Sequence, residues 1–292
     1  NLLDVAHKKK GVAAGIVNAG KPLPMLSVMD AVKENLIVPT FIGNKEEIEK
    51  CAQDLKFDIS KYQIVNEPDE NSTAKIAAEL ASKGKIKIIV KGHIHTDVLM
   101  KEVIKKEYNL MGKTRLSHIW HMTLDKEDKP LIITDGALNV LPNVKTKIHI
   151  LKNVVNFCNR IGIERPKVAI LSATEEVLDS IQSSIDAKEI TELALKEKIN
   201  ADVFGPLAFD NSISKKSAEI KGIKNLVAGD ADVLLVPSVE TGNALVKIMV
   251  YFMGACAAGV VVGGKVPVVI TSRSDVATAR LASIAAAVVA LD

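Results

Sequence analysis

The sequence predicts an α/β fold, in which mostly parallel sheets are covered by helices. Short runs rich in Val, Ile and Leu alternate along the chain with longer amphipathic segments. The short runs carry almost no polar residues, which is typical of strands that are buried on both faces. Of the 292 residues, 48% are hydrophobic but only 3% are aromatic. The core is therefore expected to be aliphatic, which suits close packing of helices on a sheet.

The individual elements are predicted from the same two patterns. The apolar, β-branched runs predict strands at residues 11–17, 38–42, 63–65, 86–90, 115–124, 131–134, 168–172, 202–204, 233–236, 259–262 and 266–271. Apolar residues at i,i+4 spacing predict helices, as where Ile76 precedes Leu80. These helices cover residues 26–36, 45–55, 72–83, 96–108, 145–161, 175–198 (mostly helical), 214–221, 243–253 and 275–291.

The alternation of strands and helices breaks at two places. The turn between strands 115–124 and 131–134 is too short for a helical crossover, and only Gly263, Gly264 and Lys265 separate the last two strands. A single eight-stranded barrel would require strict alternation. We therefore predict two α/β domains. The first is interrupted and comprises residues 1–130 and 264–292, and the second comprises residues 131–263.

Composition and charge exclude several classes of partner. The chain has 38 basic and 35 acidic residues, so no whole-chain field favours nucleic acid or an anionic membrane. Its one Trp, three Tyr and six Phe residues make a base-stacking platform improbable. The longest uncharged run, residues 248–264, contains four glycines and is shorter than the ~20 apolar residues that a membrane span needs.

The cysteines and histidines predict neither disulfides nor a metal site. Cys51, Cys158 and Cys256 form no CxxC pair, so a reducing, cytoplasmic location is favoured. Four histidines occur as two close pairs, at positions 93 and 95 and at positions 118 and 121, without a third type of ligand nearby. Hydrogen-bonded histidines explain this pattern better than metal ligation.

Candidate functional residues follow the predicted strands, because ligands of open parallel sheets bind outside the carboxyl ends of the strands. The segments at these positions carry hydroxyls, amides and cations rather than paired acids, and they comprise residues 91–96, 134–136, 172–174, 237–243 and 271–275. Such groups can hold phosphate and polarise a carbonyl, whereas a divalent cation would require clustered carboxylates. No metal is therefore expected.

The triplet Thr271-Ser272-Arg273 combines three of these features between an apolar strand and the last helix. A hydroxyl can donate a hydrogen bond to a developing oxyanion. An arginine can bind phosphate through two hydrogen bonds, and a helix N-terminus favours anions. The alternative is a capped helix start with a solvated arginine.

Two nucleotide-binding motifs are incomplete. Residues 259–265 fit G-x-x-x-x-G-K, but Val266 follows where a phosphate loop has Ser or Thr. No G-x-G-x-x-G follows a strand, so the nicotinamide fingerprint is missing.

Seven segments together resemble the phosphate acyltransferases of the phosphotransacetylase and phosphotransbutyrylase type over nearly the whole chain. The segments match in order and spacing, and they are Lys91-Gly92 with His95-Thr96, then residues 116–118, 135–139, 205–211, 227–232, 237–243 and 265–275. Residues 205–211 and 265–275 are more similar to the butyryl branch than to the acetyl branch.

This resemblance implies a fold and an activity. The expected fold has two three-layer α/β domains with mostly parallel sheets and a cleft between them, as in isocitrate and isopropylmalate dehydrogenases. The expected activity is reversible transfer of a short-chain acyl group, with butyryl or a branched chain favoured, between coenzyme A and inorganic phosphate through a ternary complex. Coenzyme A is a substrate, no cofactor is bound permanently, and a homodimer or higher homo-oligomer is expected.

The resemblance also implies residue roles. Ser272 would donate a hydrogen bond to the tetrahedral oxyanion, and Arg273 would bind phosphate. Asp275 is the nearest acid to the position at which the acetyl branch carries a candidate base for the coenzyme A thiol. The expected binding residues are Lys91, His95, Thr96, Ser117, His118, Asp135, Asn139, Thr241, Gly242 and Asn243.

Three alternatives stay open at this point. Phosphate acetyltransferase is the nearest one, and a non-catalytic acyl-CoA binding or sensing protein is the alternative of another class. A metal-dependent decarboxylating dehydrogenase has a similar architecture but would want clustered Asp ligands and a nicotinamide site, neither of which the sequence shows. A covalent acyl-cysteine is not expected, because no cysteine follows a predicted strand beside a histidine.

Overall fold

The computed structural model describes residues 2–125, 129–271 and 275–291. Within them the strands are β1 (Val12–Val17), β2 (Ile37–Gly43), β3 (Gln63–Asn66), β4 (Ile88–Lys91), β5 (Ser117–Thr123), β6 (Leu131–Thr134), β7 (Lys167–Leu171), β8 (Asp202–Leu207), β9 (Val233–Leu235), β10 (Cys256–Val262) and β11 (Val268–Val269). The helices are α1 (Leu2–Ala6), α2 (Pro22–Lys33), α3 (Lys45–Asp54), α4 (Glu70–Ser82), α5 (Thr96–Val103), α6 (Val144–Arg160), α7 (Gln182–Lys196), α8 (Phe209–Ile213), α9 (Lys215–Ile220), α10 (Val239–Met253) and α11 (Ala277–Ala290).

The chain divides into two compact units. The first consists of Asn1–Lys113 and Ala258–Asp292, and the second of Thr114–Ala257. These boundaries lie earlier in the chain than those predicted after residue 130 and before residue 264. The difference at the first boundary has a clear cause: β5 pairs with β6 in antiparallel register, so the segment that carries β5 packs with the second unit.

In the first unit the strand order is β3-β2-β1-β4-β11. All neighbouring strands in this series are parallel. The carboxyl-terminal part of β10, from Ala258 onward, also belongs to this unit and pairs with β11 in antiparallel orientation. Because β1, β4 and β11 run in one direction, their carboxyl ends lie at one edge of the sheet, where ligands of such sheets bind.

In the second unit the strand order is β5-β6-β9-β7-β8. β6, β9, β7 and β8 are parallel to their neighbours, and β5 is the antiparallel strand at one end of the series. Aliphatic residues dominate the core of this unit, as predicted. Trp120 and Met249 belong to one apolar cluster, whereas Leu207 and Leu234 belong to another.

Local capping explains several helix starts. The side chains of Asn44, Asp69 and Asn143 accept hydrogen bonds from backbone N–H groups in the first turns of α3, α4 and α6, which satisfies donors that a helix N-terminus leaves unpaired. α7 begins seven residues later than the helix predicted from residue 175, at Gln182. The buried Ser184 side chain accepts a 2.9 Å hydrogen bond from Leu178 N, which stabilises a non-helical turn before α7.

Other boundaries also differ from the prediction. The helix predicted over residues 96–108 ends at Val103, and a separate 3₁₀ helix covers Lys106–Tyr108. α10 begins at Val239, because the side chain of Ser238 caps it. The short helices α1 and α8 were not predicted. Among the helices in the described part of the chain, none has both the length and the apolar character needed to cross a membrane.

Candidate functional site

A cavity of about 220 Å³ lies in the first unit, at the carboxyl ends of β4 and β11. It is lined by Lys21, Leu23, Pro24, Lys91, Gly92, His93, Thr271 and Arg280. Three of these side chains carry a permanent positive charge at neutral pH, and the described lining contains no carboxylate. The cavity is therefore suited to an anion.

Lys91 occupies this position because it is the last residue of β4. Its side chain is 7% exposed. The next residue must be glycine, since a Cβ atom on Gly92 would lie 2.3 Å from the carbonyl oxygen of Asn18. The close approach lets Gly92 N donate to Val17 O at 2.8 Å, which ties the end of β4 to the end of β1.

The opposite wall of the cavity includes Thr271 and Arg280. Arg280 lies in the first turn of α11 and is 4% exposed. Its Nη1 donates to Thr271 Oγ1 at 2.9 Å, and its Nε donates to the backbone carbonyl of Asp275 at 3.1 Å. Burial lowers the pKa of the guanidinium, and the negative charge of Asp275 opposes that shift. Arginine nevertheless stays charged in proteins.

The structure describes only one of the three predicted catalytic residues. Ser272 and Arg273 lie outside the described residues. Asp275 is described and partly buried, and its carbonyl oxygen accepts the hydrogen bond from Arg280. Its role as the thiol base stays a prediction.

His95 and Thr96 do not line the cavity with Lys91. His95 precedes the first residue of α5, and both its backbone N and its Nδ1 lie within hydrogen-bond distance of Glu70 Oε1, at 2.6 and 2.8 Å. These two hydrogen bonds lower the pKa of Glu70, and the one from the backbone N–H of His95 has the larger effect. Thr96 is exposed at the start of α5. In this structure His95 therefore joins α5 to α4.

In the second unit, Asp135 organises the loop that follows β6. The carboxylate is 2% exposed. Its Oδ1 accepts hydrogen bonds from Ala137 N and Leu138 N, at 3.0 and 2.9 Å. Its Oδ2 accepts hydrogen bonds from His118 N and Asn139 Nδ2, at 3.0 and 2.7 Å. Asp135 thus connects the loop with the start of β5, and Asn139 Nδ2 reinforces this connection with a 3.0 Å bond to Leu116 O.

The start of β5 carries two of the predicted binding residues, Ser117 and His118, and both are fully buried. Asn153 Nδ2 donates to Ser117 Oγ at 2.8 Å. Neither ring nitrogen of His118 has a hydrogen-bond partner among the described residues, and its ring centroid lies 4.4 Å from that of Trp120. Burial lowers the pKa of His118 to about 4 against the opposing charge of Asp135, so the imidazole is neutral at pH 7.

The triplet Thr241-Gly242-Asn243 lies in the first turn of α10, not in a loop before it. Gly242 packs against the loop after β6, since a Cβ atom on it would lie 2.6 Å from Gly136 Cα. This contact brings the triplet against Gly136, which directly follows Asp135 in the chain. The structure thus places the seven predicted binding residues of the second unit at the start of β5, in the loop after β6 and near the start of α10, which packs against that loop.

Of the charged cavity residues, Lys21 and Arg280 were missed by the sequence analysis. Arg280 had a detectable signal, because it is the one charged residue in α11. Lys21 had none, since surface lysines are common in this sequence and only the fold places Lys21 beside Lys91.

The described residues contain no group of three or more His, Cys, Asp or Glu side chains that could hold a metal ion. All three cysteines have raised thiol pKa values, because burial disfavours the thiolate. For Cys158 the pKa is raised to about 12.

Parallel sheets with a cation-lined cavity at the carboxyl edge of the strands are typical of α/β proteins that bind anionic ligands. The sequence profile of the phosphate acetyl/butaryl transferase family matches residues 69–288. The chain belongs to this family, whose members are acyltransferases that act with phosphate.

Named relatives occur in both branches of the family. A phosphate acetyltransferase of Rickettsia typhi is 39% identical over 285 residues, which is 97% of this chain and 82% of the relative. A phosphate butyryltransferase of Clostridium acetobutylicum is 36% identical over 287 residues, which is 98% of this chain and 95% of the relative.

A solved structure agrees with the fold as well as the family. The branched-chain phosphotransacylase from Enterococcus faecalis V583 superposes with a TM-score of 0.84 at 33% identity, covering 96% of this chain and 98% of that one. The predicted fold class and family are therefore confirmed. The roles of individual site residues stay predictions.

Proposed function

We propose that the protein transfers a short-chain acyl group reversibly between coenzyme A and inorganic phosphate, with a butyryl or branched-chain group favoured. The observation that carries this proposal is the cation-lined cavity of about 220 Å³, whose lining residue Thr271 directly precedes Ser272 and Arg273 in the sequence. A phosphate group fits this space, which is several times the roughly 30 Å³ share of one water molecule.

Lys91, Lys21 and Arg273 are the proposed phosphate ligands. Lys91 and Lys21 line the cavity, and its described lining holds no acid that would repel an anion. Lys21 is also the N-cap residue of α2, in whose first three positions only Leu23 has a backbone N–H, because Pro22 and Pro24 have none. The positive end of the helix dipole adds to the attraction of an anion at this position. With Arg273, Lys91 is the proposed second cation for phosphate, which its place in the cavity lining supports.

The proposed reaction proceeds within one ternary complex. The coenzyme A thiol, with an ordinary thiol pKa of ~8.5, gives its proton to a base, for which Asp275 is proposed. The sulfur then attacks the carbonyl carbon of the acyl phosphate, and a C–S bond forms. Ser272 donates a hydrogen bond to the resulting oxyanion. The C–O bond to phosphate breaks, and Arg273 with Lys91 stabilises the leaving phosphate.

A direct transfer is favoured over an acyl-cysteine intermediate. A nucleophilic cysteine needs a lowered thiol pKa. Burial instead raises the pKa of Cys51, Cys158 and Cys256. We expect a variant with all three cysteines replaced by alanine to keep its activity.

We propose that the second unit contributes the acyl-CoA contacts through His118 and the start of α10. His118 is buried with two ring nitrogens that lack partners among the described residues. A neutral imidazole can give one hydrogen bond and accept another. With a pKa of about 4 it is too weak a base for a thiol, so its proposed role is binding.

A homodimer or higher homo-oligomer is also proposed. It is supported by the exposed apolar side chains at the end of α10, where Ile248, Tyr251 and Phe252 are 50%, 64% and 87% exposed. Such contiguous apolar surface is typical of protein interfaces. Sedimentation velocity of the purified protein tests this proposal, and a monomer at micromolar concentration contradicts it.

The function is tested by following thiol release from acetyl-, butyryl-, isobutyryl- and isovaleryl-CoA with and without phosphate. We expect phosphate-dependent release, with the highest kcat/KM for a four- or five-carbon chain. An acetyl preference would make the protein a phosphate acetyltransferase, which the 39% identity to the Rickettsia typhi enzyme also allows. Binding of acyl-CoA without release would support a non-catalytic sensor.

The phosphate ligands are tested with a matched pair of variants. Lys91→Ala should raise the KM for phosphate, because it removes a buried cation from the cavity. Lys87→Ala removes an exposed lysine just before the other end of β4 and should leave the KM unchanged. Equal phosphate KM values for the two variants would contradict the assignment of Lys91.

A further inference from the structure

The cation-lined cavity of the first unit also has an apolar wall. Leu23 and Pro24, in the first turn of α2, line it together with the three cations. A bare phosphate ion uses only charged and hydrogen-bonding groups, so it gains nothing from contact with leucine or proline. An acyl phosphate joins a charged head to a short apolar tail. The cavity therefore offers both kinds of surface that such a molecule needs.

Leu23 is placed differently from other apolar residues of α2. It is 41% exposed, whereas Met25, Val28 and Ala31 are fully buried. Packing in the core of the unit therefore does not account for a leucine at this position. Because Leu23 lines a cavity, its exposed surface favours a ligand that carries apolar groups, and burial of that surface would stabilise the complex.

The prolines on either side of Leu23 limit what this wall can bind. Pro22 and Pro24 have no backbone N–H, so Leu23 supplies the single N–H among the first three residues of α2. A helix N-terminus that binds phosphate does so through several backbone N–H groups. With one donor, the wall suits a hydrocarbon chain better than phosphate oxygens. The prolines also fix φ at two of these three positions, so little backbone freedom is lost when a chain packs there.

We infer that Leu23 is a specificity-determining residue for the acyl chain. The inference rests on the proposed function, in which the acyl phosphate occupies this cavity. The phosphate group binds to the cations, and the carbons of the chain contact Leu23 and the ring of Pro24. A butyryl group carries two more methylenes than an acetyl group and buries more apolar surface against this wall, so the wall favours the longer chain.

The experiment measures kcat/KM for butyryl-CoA and for acetyl-CoA in the thiol-release assay. One methylene in an apolar pocket changes kcat/KM by roughly 10-fold or more. We expect Leu23→Ala to lower the ratio of the butyryl to the acetyl value by about 10-fold, with the KM for phosphate unchanged. Leu23→Met conserves apolar volume and should keep most of the ratio. An equal loss for both acyl-CoAs, or a change confined to the KM for phosphate, would overturn the inference.

Ile104→Ala is the matched control. Ile104 is 50% exposed and belongs to the same unit, at the C-cap of α5. It is not among the described residues that line the cavity. We expect this variant to keep the wild-type ratio of butyryl to acetyl activity. A fall as large as that of Leu23→Ala would show a general effect of lost apolar surface and would overturn the inference.

Calorimetric titration with alkylphosphonates separates a failure of the inference from a failure of the proposed function, because these probes undergo no acyl transfer. We expect butylphosphonate to bind the wild type more tightly than methylphosphonate, and Leu23→Ala to remove most of this difference. Equal affinities of the wild type for the two phosphonates would overturn the inference, even if the protein is an active acyltransferase. If the affinities differ as expected but the wild type releases no thiol from any acyl-CoA, the proposed function fails, whereas contact of Leu23 with the chain is supported.

Discussion

Replacement of Asp135 by alanine should destabilise the second unit strongly, because Asp135 holds a loop together. The buried carboxylate accepts four hydrogen bonds from described groups, including the backbone N–H groups of His118, Ala137 and Leu138. The sequence predicts instead a residue that binds substrate. The two roles predict different effects on folding, so a stability measurement separates them.

The size of the effect follows from which donors water can reach after the replacement. A hydrogen bond to a charged group contributes about 1.5–3 kcal/mol. Ala137 is exposed, so water can replace part of the loop contacts. The backbone N–H of His118 is buried, and an unsatisfied buried donor costs about 1–3 kcal/mol. We therefore expect Asp135→Ala to lower the free energy of unfolding by about 3–5 kcal/mol.

Urea unfolding followed by tryptophan fluorescence measures this loss. The chain has one tryptophan, and its ring lies 4.4 Å from that of His118, so its signal reports on the unit that Asp135 stabilises. Asp135→Asn keeps one acceptor oxygen and should lose about half as much. In a thermal scan, the alanine variant should unfold roughly 10 °C lower.

Asn143→Ala is the control in the same unit. Asn143 accepts a single hydrogen bond, from Thr146 N at 2.9 Å, as the cap of α6, and its loss should cost about 1 kcal/mol. If Asp135→Ala costs no more than this control, the reasoning is refuted. A normal stability together with a raised KM for acyl-CoA would restore the substrate-binding role predicted from the sequence.

Three further predictions concern the catalytic segment, the acid stability and a close backbone contact. Ser272→Ala should lower kcat for thiol release by ~10²–10³-fold, because it removes one oxyanion donor. Acidification should destabilise the fold as the pH falls from about 4 towards 2, because hydrogen bonding to Lys167 lowers the pKa of Asp230 from 3.8 to about 2 in the folded state. The stabilisation is present above the unfolded pKa and is lost as the pH falls through the folded pKa. The side chain of Asp230 is 32% exposed, so solvent screening leaves about 1 kcal/mol of this stabilisation. The difference in urea stability between wild type and Asp230→Asn, compared at pH 2 and pH 6, measures it. Gly242→Ala should cost about 1–3 kcal/mol in the same measurement, because its Cβ would lie 2.6 Å from Gly136 Cα.

Each of these expectations has a contrary result. Turnover of the Ser272 variant within threefold of the wild type would remove that residue from the mechanism. A constant difference in stability between wild type and Asp230→Asn across the pH range would exclude the Lys167 effect. The control for Gly242→Ala is Asn243→Ala, at the exposed next position of α10. Equal free energies of unfolding for the two variants would show that the backbone at Gly136 accommodates the added Cβ at little cost.

The regular elements of the fold could be predicted well because their signals are local. Strands such as β1 and β6 are apolar runs, and Asn44 or Asp69 marks a helix start within three residues of the donor it caps. The start of α7 was predicted wrongly for the opposite reason. The position of this helix start depends on Ser184, whose side chain accepts a hydrogen bond from the backbone of Leu178, six residues earlier. The spacing of apolar residues does not predict such a contact.

The candidate site could be predicted only in part. Position at a strand end selected Lys91, which lines the cavity, and Asp135, which directly follows β6, and their binding roles stay predictions. It did not show that Asp135 bonds to His118, seventeen residues earlier in the chain. It also grouped His95 with Lys91, whereas His95 bonds to Glu70.

The sequence by itself determined the α/β class, the family and most strands and helices, because apolar periodicity and motif order are properties of neighbouring residues. Only the tertiary structure decided the strand order, the unit to which β5 belongs and the partners of Asp135 and Arg280. These features depend on which chain segments meet when the sheets form. Burial then makes each long-range hydrogen bond obligatory, since an unpaired polar group in the core costs more than the bond itself contributes.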